Sequence, residues 1–189
     1  MRIATWNVNS INVRMPQLVD WLAAAQPDVV CVQETKTVDD GFPALELKAA
    51  GYDAVFTGEK AYNGVAILSK LAISDVHANF PDDATDAPKR MISANVGGIR
   101  IVNTYVPNGS ELGSDKFKFK LDWLMRLRRY MDESCDASKH VLLCGDFNVA
   151  MEPVDHWSAA GAEGKLHFSK PERAAMHYVK QFGLIDVFR

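Results

Sequence analysis

Hydrophobic positions along the chain fall into short continuous runs and into stripes at helical spacing, and the two kinds alternate. "MRIATWNV" predicts a strand from the first residue. "MPQLVDWLAAA" puts Leu18, Trp21, Leu22 and Ala25 on one face of a helix, with Pro16 tolerated in its first turn. "DVVCVQE" is a short apolar strand ending in Gln33 and Glu34, and "FPALELKAAGY" is a short helix closed by Gly51. "YDAVFT" and "NGVAILSK" read as strands. "RMISANVGGIRIVNTYV" reads as a hairpin, because Gly97-Gly98 supplies the two-residue turn that matches strand twist. "FKLDWLMRLRRYMDE" carries Phe117, Leu121, Leu124, Leu127 and Met131 along one helical stripe. The run Val141 to Cys144 predicts a buried strand within "VLLCGD". "PERAAMHYVKQFG" predicts a helix with Pro171 near its start and Gly183 as its stop, and "LIDVF" begins a further strand or extended segment. The alternation, with one antiparallel hairpin, predicts an α/β fold with mixed sheets rather than a purely parallel one.

Composition narrows the class. The chain has 189 residues and 48% hydrophobic content, enough for one domain with a real core. Its net charge of −3 and pI near 5.9 exclude a globally basic nucleic-acid binder, so any basic footprint is local. Cys31, Cys135 and Cys144 are odd in number and far apart, which predicts reduced thiols in a cytoplasmic protein. No Cys or His spacing suits a structural zinc. No apolar signal segment opens the chain, and no run approaches membrane-spanning length.

Chemistry gathers at strand ends. The predicted strands finish at Asn7, at Glu34, at Tyr105, and at Asp146 with Asn148 just beyond. Each has an ordinary alternative: a turn or cap for Asn7 and Asp146, a solvated end for Glu34, a packed ring for Tyr105. Together they offer carboxylates, amides and a phenol where α/β sheets place ligands. Oxygen ligands of this kind suit a hard cation, Mg²⁺ or Mn²⁺.

The motifs "WNVNSINVR", "QPDVVCVQETK", "GVAILSK", "NTYVPNG", "LLCGDFNVA" and "PERAAMHYVKQFGLIDVFR" resemble, in order and spacing, those of exonuclease III-type AP endonucleases. That group belongs, with DNase I, to the endonuclease/exonuclease/phosphatase superfamily. The resemblance implies a four-layer α/β sandwich of the DNase I-like type as a single domain over residues 1–189. It also implies Mg²⁺-dependent hydrolysis of DNA phosphodiesters, 5′ to abasic sites and as a 3′-to-5′ exonuclease on duplex DNA. Glu34, Asn7, Asp146 and Asn148 are the implied metal-site residues. Asp146 is the implied proton acceptor, Asn148 its orienting partner, and Tyr105 a donor, or as phenolate a counter-charge, at the phosphorane. Related chains continue into an Arg-Ile-Asp strand and a Ser-Asp-His-Ala-Pro motif. This sequence contains neither, so it is expected to be a C-terminally truncated form with its second sheet incomplete.

Double-stranded DNA with abasic sites or 3′ ends is the implied partner, bound by a protein that is monomeric when complete. The candidate phosphate contacts are Arg90, Lys116, Lys118, Lys165, Lys170 and Arg173; ordinary solvated charge is their alternative. Trp157, in the loop "DHWSAAGAEGKLHF", is either a packed indole or a group that inserts at a lesion. Two competing readings remain: a phosphatase of the same superfamily acting on a small molecule, and a non-catalytic remnant of the nuclease family.

Overall fold

A computed structural model describes residues 1–156, 161 and 163–187. The described chain runs β1 (Ile3–Asn7), α1 (Ile11–Ala25), β2 (Val29–Gln33), α2 (Ala44–Ala49), β3 (Asp53–Thr57), β4 (Val65–Ser69), β5 (Ile73–Ala78), β6 (Met91–Val96), β7 (Ile99–Tyr105), α3 (Asp115–Ser134), β8 (Val141–Asp146) and α4 (Lys170–Lys180). It forms two compact units. The first holds Met1–Tyr105 and His140–Asp146; the second holds Val106–Lys139 and the described residues from Phe147 onward.

The first unit contains two mixed sheets of four strands each, ordered β1-β2-β4-β3 and β5-β6-β7-β8. β1 runs parallel to β2, and β7 parallel to β8; the other pairs are antiparallel. Side chains alternate across each strand, so β2 and β4 feed two cores. Val30, Val32, Ala66 and Leu68 pack against Ile11, Leu18 and Leu22 of α1 and Leu47 of α2. Val29, Cys31, Val65 and Ile67 face Ile92, Ala94, Val96 and Ile101 of the second sheet. Burial on both faces is why β2 and β4 read as unbroken apolar runs. Gly97 and Gly98, with φ of 56° and 82°, make the hairpin turn between β6 and β7. None of the three cysteines forms a disulfide. A hydrogen bond between the Cys31 and Cys144 thiols, with burial, pushes the Cys31 thiol up.

Three expectations change. Pro16 lies well inside α1, because the helix begins at Ile11 rather than near Met15. The chain between β4 and β6 forms an unanticipated strand, β5; its Ser, Asp and His positions are exposed and its pairing slips between Ser74 and His77. β8, expected to be buried, is only half-buried along its whole length. It is the last strand of its sheet, paired on one side alone among the described residues. Residues 184–187 add no strand.

Two amides interrupt the apolar interface between the sheets. Gln33 Nε2 donates to Asn103 Oδ1 at 2.7 Å and to Thr5 Oγ1 at 2.9 Å. Asn103 Nδ2 donates to the carbonyls of Val32 at 3.0 Å and Ala66 at 2.9 Å. Asn103 on β7 thereby grips both β2 and β4, and Gln33 and Asn103 are buried.

In the second unit α3 and α4 pack together. Ser114 and Ser169 cap them, the latter in a capping box with Glu172. The predicted α3 stripe is buried at Phe117, Leu124, Leu127 and Met131, but Lys120, Trp123 and Tyr130 are buried too, and Leu121 is only half-buried. Lys120 donates to the carbonyls of Asn148 at 2.6 Å and Asn108 at 3.1 Å, and pairs with Glu172. Burial pushes the Glu172 carboxyl up, but Lys120 and the hydroxyl and N–H of Ser169 outweigh it and hold it below its ordinary value.

Asn103→Ala should lower the unfolding free energy by on the order of 2–4 kcal/mol, because two buried carbonyls and Gln33 each lose a partner. Urea unfolding would read this as a lower midpoint at unchanged slope. A loss under about 0.5 kcal/mol would show that the amide grip contributes little.

Candidate active site

Parallel pairing brings four strand ends together. In β1 and β2, Asn7 lies opposite Gln33; in β7 and β8, Tyr105 lies opposite Asp146. Each parallel pair therefore finishes on the same side, where loops can carry ligand groups.

Asn7 occupies the centre. Its Nδ2 donates to Glu34 Oε1 at 2.7 Å and to Asp146 Oδ2 at 2.8 Å. Its Oδ1 accepts the backbone N–H of Asn9 at 3.0 Å, which fixes the amide's orientation. Glu34 also accepts from the Tyr105 hydroxyl and pairs with Lys36 Nζ at 2.8 Å. The Lys36 ammonium donates as well to Asn9 Oδ1.

The backbone that presents Glu34 is strained and strapped. Glu34 and Lys36 have φ of 55° and 53°, in the left-handed region that costs L-residues roughly 1–2 kcal/mol each. Ser10 N–H donates to the Glu34 carbonyl at 2.7 Å, Thr35 N–H to Gly64 at 3.2 Å and Lys36 N–H to Asn63 at 2.9 Å. Asp146 follows Gly145, where a Cβ would come within 1.9 Å of the Thr104 carbonyl oxygen. Only glycine lets β8 approach β7 there.

Charge follows from these contacts. Burial pushes the Glu34 carboxyl up, but hydrogen bonds from Asn7, Lys36 and Tyr105 outweigh it and hold it below its ordinary value, as an anion. Burial, then the hydrogen bond to Glu34, pushes the Tyr105 hydroxyl up to about 12. Both effects favour the neutral hydroxyl over the phenolate.

Residues 4–182 match the Endonuclease/Exonuclease/phosphatase family. The chain belongs to that family. It is 32% identical to exodeoxyribonuclease III of Haemophilus influenzae over 203 residues, covering 100% of this chain and 75% of that one. It superposes on an AP endonuclease from Archaeoglobus fulgidus with a TM-score of 0.94 at 38% identity, over 100% of this chain and 73% of the other. The 3′ phosphatase NExo from Neisseria, bound to product DNA hairpin, gives 0.93 at 39% identity, over 98% and 72%. The α/β fold of two mixed sheets and four helices is that of these DNase I-like nucleases.

Within this family frame, Asn7, Glu34, Tyr105 and Asp146 come together in the first unit. Asn148 lies in the second unit, with φ of 48° and its Nδ2 donating to the Val106 carbonyl at 3.0 Å. Asn7 turns its amide nitrogen toward both carboxylates, and its oxygen accepts the Asn9 N–H. Among the described residues no three His, Cys, Asp or Glu side chains form a closed cage. Two carboxylates drawn to one amide still fit Mg²⁺, which commonly takes one or two protein carboxylates and completes its shell with water and phosphate.

The basic candidates scatter. Lys116, Lys165 and Lys170 are exposed in the second unit, and Lys118 pairs with Asp115 at 3.0 Å. Arg173 forks onto Glu163 at 2.7 and 3.2 Å and stacks over Phe168. Arg90, in the first unit, lies against Tyr105. Trp157 lies outside the described residues. Sequence reasoning missed Lys36, although it stands two residues after Glu34 in the quoted "QETK". It also missed Lys120, whose place inside an apolar stripe was the available signal.

Asn7→Leu should raise the Glu34 pKa, since a hydrogen bond that favours the carboxylate is lost. Carboxyl-carbon NMR titration would show the Glu34 transition moving to higher pH than in the parent. An unmoved transition would remove Asn7 from the site's electrostatics.

Proposed function

We propose that this chain is a DNA-repair nuclease of the exodeoxyribonuclease III/AP endonuclease type. Its reaction is hydrolysis of DNA phosphodiesters with Mg²⁺, or Mn²⁺ in its place, 5′ to abasic sites and stepwise from 3′ ends of duplex DNA. The carrying observation is the convergence of Glu34 and Asp146 on the Asn7 amide, beside the Tyr105 hydroxyl.

The roles follow from the groups. Oxygens of Glu34 and Asp146 would hold the cation. A bound divalent cation supplies Lewis-acid neutralisation of charge at a phosphate oxygen. Asn7 keeps the two carboxylates paired, and Lys36 offsets part of their charge. Asp146 accepts the proton of the attacking water. The neutral Tyr105 hydroxyl donates to the oxygen on which negative charge grows. Lys116, Lys118, Lys165 and Lys170 are the proposed contacts to the DNA backbone.

A second reading shares these groups. The similar NExo structure is described as a 3′ phosphatase, and removal of a phosphate from a DNA 3′ end needs the same metal, water and donor. Substrates carrying an abasic site, a plain 3′ end and a 3′ phosphate separate the two.

Glu34→Gln and Asp146→Asn should each abolish Mg²⁺-dependent incision of abasic duplex with the thermal melt retained. Tyr105→Phe should lower kcat by roughly two orders of magnitude with little change in DNA affinity. Near-parental turnover in the carboxylate variants would remove them from the mechanism, and a rate within about threefold for Tyr105→Phe would reduce that residue to packing.

A further inference from the structure

Arg90 precedes β6, and the register of β6 with β7 sets it opposite Tyr105. The two residues are joined three times. Tyr105 N–H donates to the Arg90 carbonyl at 2.8 Å. Arg90 Nη1 donates back to the Tyr105 carbonyl at 3.2 Å. The guanidinium carbon then lies over the phenol ring, 4.7 Å from its centroid. Arg90 is half-buried, and its Nε is buried without a hydrogen-bond partner. A guanidinium held over the ring and hydrogen-bonded to the Tyr105 carbonyl is engaged with the tyrosine rather than simply displayed to solvent.

We infer that Arg90 is a positioning residue for Tyr105: its guanidinium fixes the ring so that the hydroxyl meets Glu34. This rests on the proposed role of Tyr105. It replaces the simpler assignment of Arg90 as a contact to the DNA backbone. The physical basis is the difference between the two cations. A planar guanidinium can stack on an aromatic face while donating along its edge; a lysine ammonium is a compact, strongly hydrated charge and cannot do both. Without the stack, the ring at the end of β7 keeps its packing against the core between the sheets and its Glu34 contact but loses the guanidinium that bounds one face. The hydroxyl then samples positions away from the growing charge.

The two assignments differ in what they move. A phosphate contact acts on DNA binding: its loss raises KM, lowers the salt slope by about one, and is largely restored by lysine. A positioning residue acts on turnover. Arg90→Lys should therefore lower kcat about tenfold or more, with KM and the salt slope unchanged. Arg90→Met, which keeps an apolar cover over the ring, is the second variant should the lysine disturb folding. It should likewise lower kcat with KM unchanged.

The deciding measurement is a double-mutant cycle on the purified protein with Mg²⁺ and abasic duplex, combining Arg90→Lys with Tyr105→Phe. Once the hydroxyl is gone, moving the ring should cost almost nothing more, so the double variant should match Tyr105→Phe within about twofold. Additive losses, or a raised KM rescued by lysine, would overturn the inference and leave the role of Tyr105 standing. Parental turnover in Tyr105→Phe alone would overturn that role, and the inference with it.

Discussion

The amide grip of Asn103 and Gln33 is the constraint on which the rest of the first unit depends. Val, Ile and Ala side chains fill most of the space between the sheets, and such contact is non-directional. It would tolerate a small slide of one sheet over the other. Hydrogen bonds from Asn103 to Val32 and Ala66 do not, because each needs its acceptor within a few tenths of an ångström and in line. Glu34 follows Gln33 directly, and Tyr105 lies two residues beyond Asn103. The bonds that fix the sheets therefore also set the reach of the Tyr105 hydroxyl to the Glu34 carboxylate.

That rigidity bears a load. Glu34 and Asp146 approach the same amide nitrogen, and two carboxylates so placed repel. The Asn7 amide and the Lys36 ammonium act against this, and the Glu34 carboxyl stays below its ordinary value. Left-handed backbone at Glu34 and Lys36 adds strain. Both costs are local, and both are met by cores on the two faces of β2 and β4. Two anionic groups held side by side in this way suit a cation of opposite charge.

Much of this was legible in the sequence, for identifiable reasons. β2 and β4 were readable because burial on two faces leaves an unbroken apolar run. The β6–β7 turn was readable because only glycines take positive φ twice in succession without strain. Asn7, Glu34, Tyr105 and Asp146 were readable because polar groups stood where apolar strands stopped. β5 was not, since an edge strand with exposed Ser, Asp and His has no core pattern to display. Nor was the half-exposure of β8, which depends on its place in the sheet rather than its composition. Asn103 and Lys120 were hidden for a shared reason. Their partners are far away along the chain, or are backbone carbonyls, which carry no sequence signal at all.

The bond from Asn7 to Asp146 spans 139 residues. During synthesis β1 leaves the ribosome roughly ten seconds before β8 can join it. Through that interval the first sheet can form, but its amide has no carboxylate from the other strand to hold. Contacts of such long range close late, because loop entropy must be overcome before they contribute. The paired carboxylates are thus complete only once β8 has joined the earlier strands. A partly folded molecule carries the same residues and no nuclease.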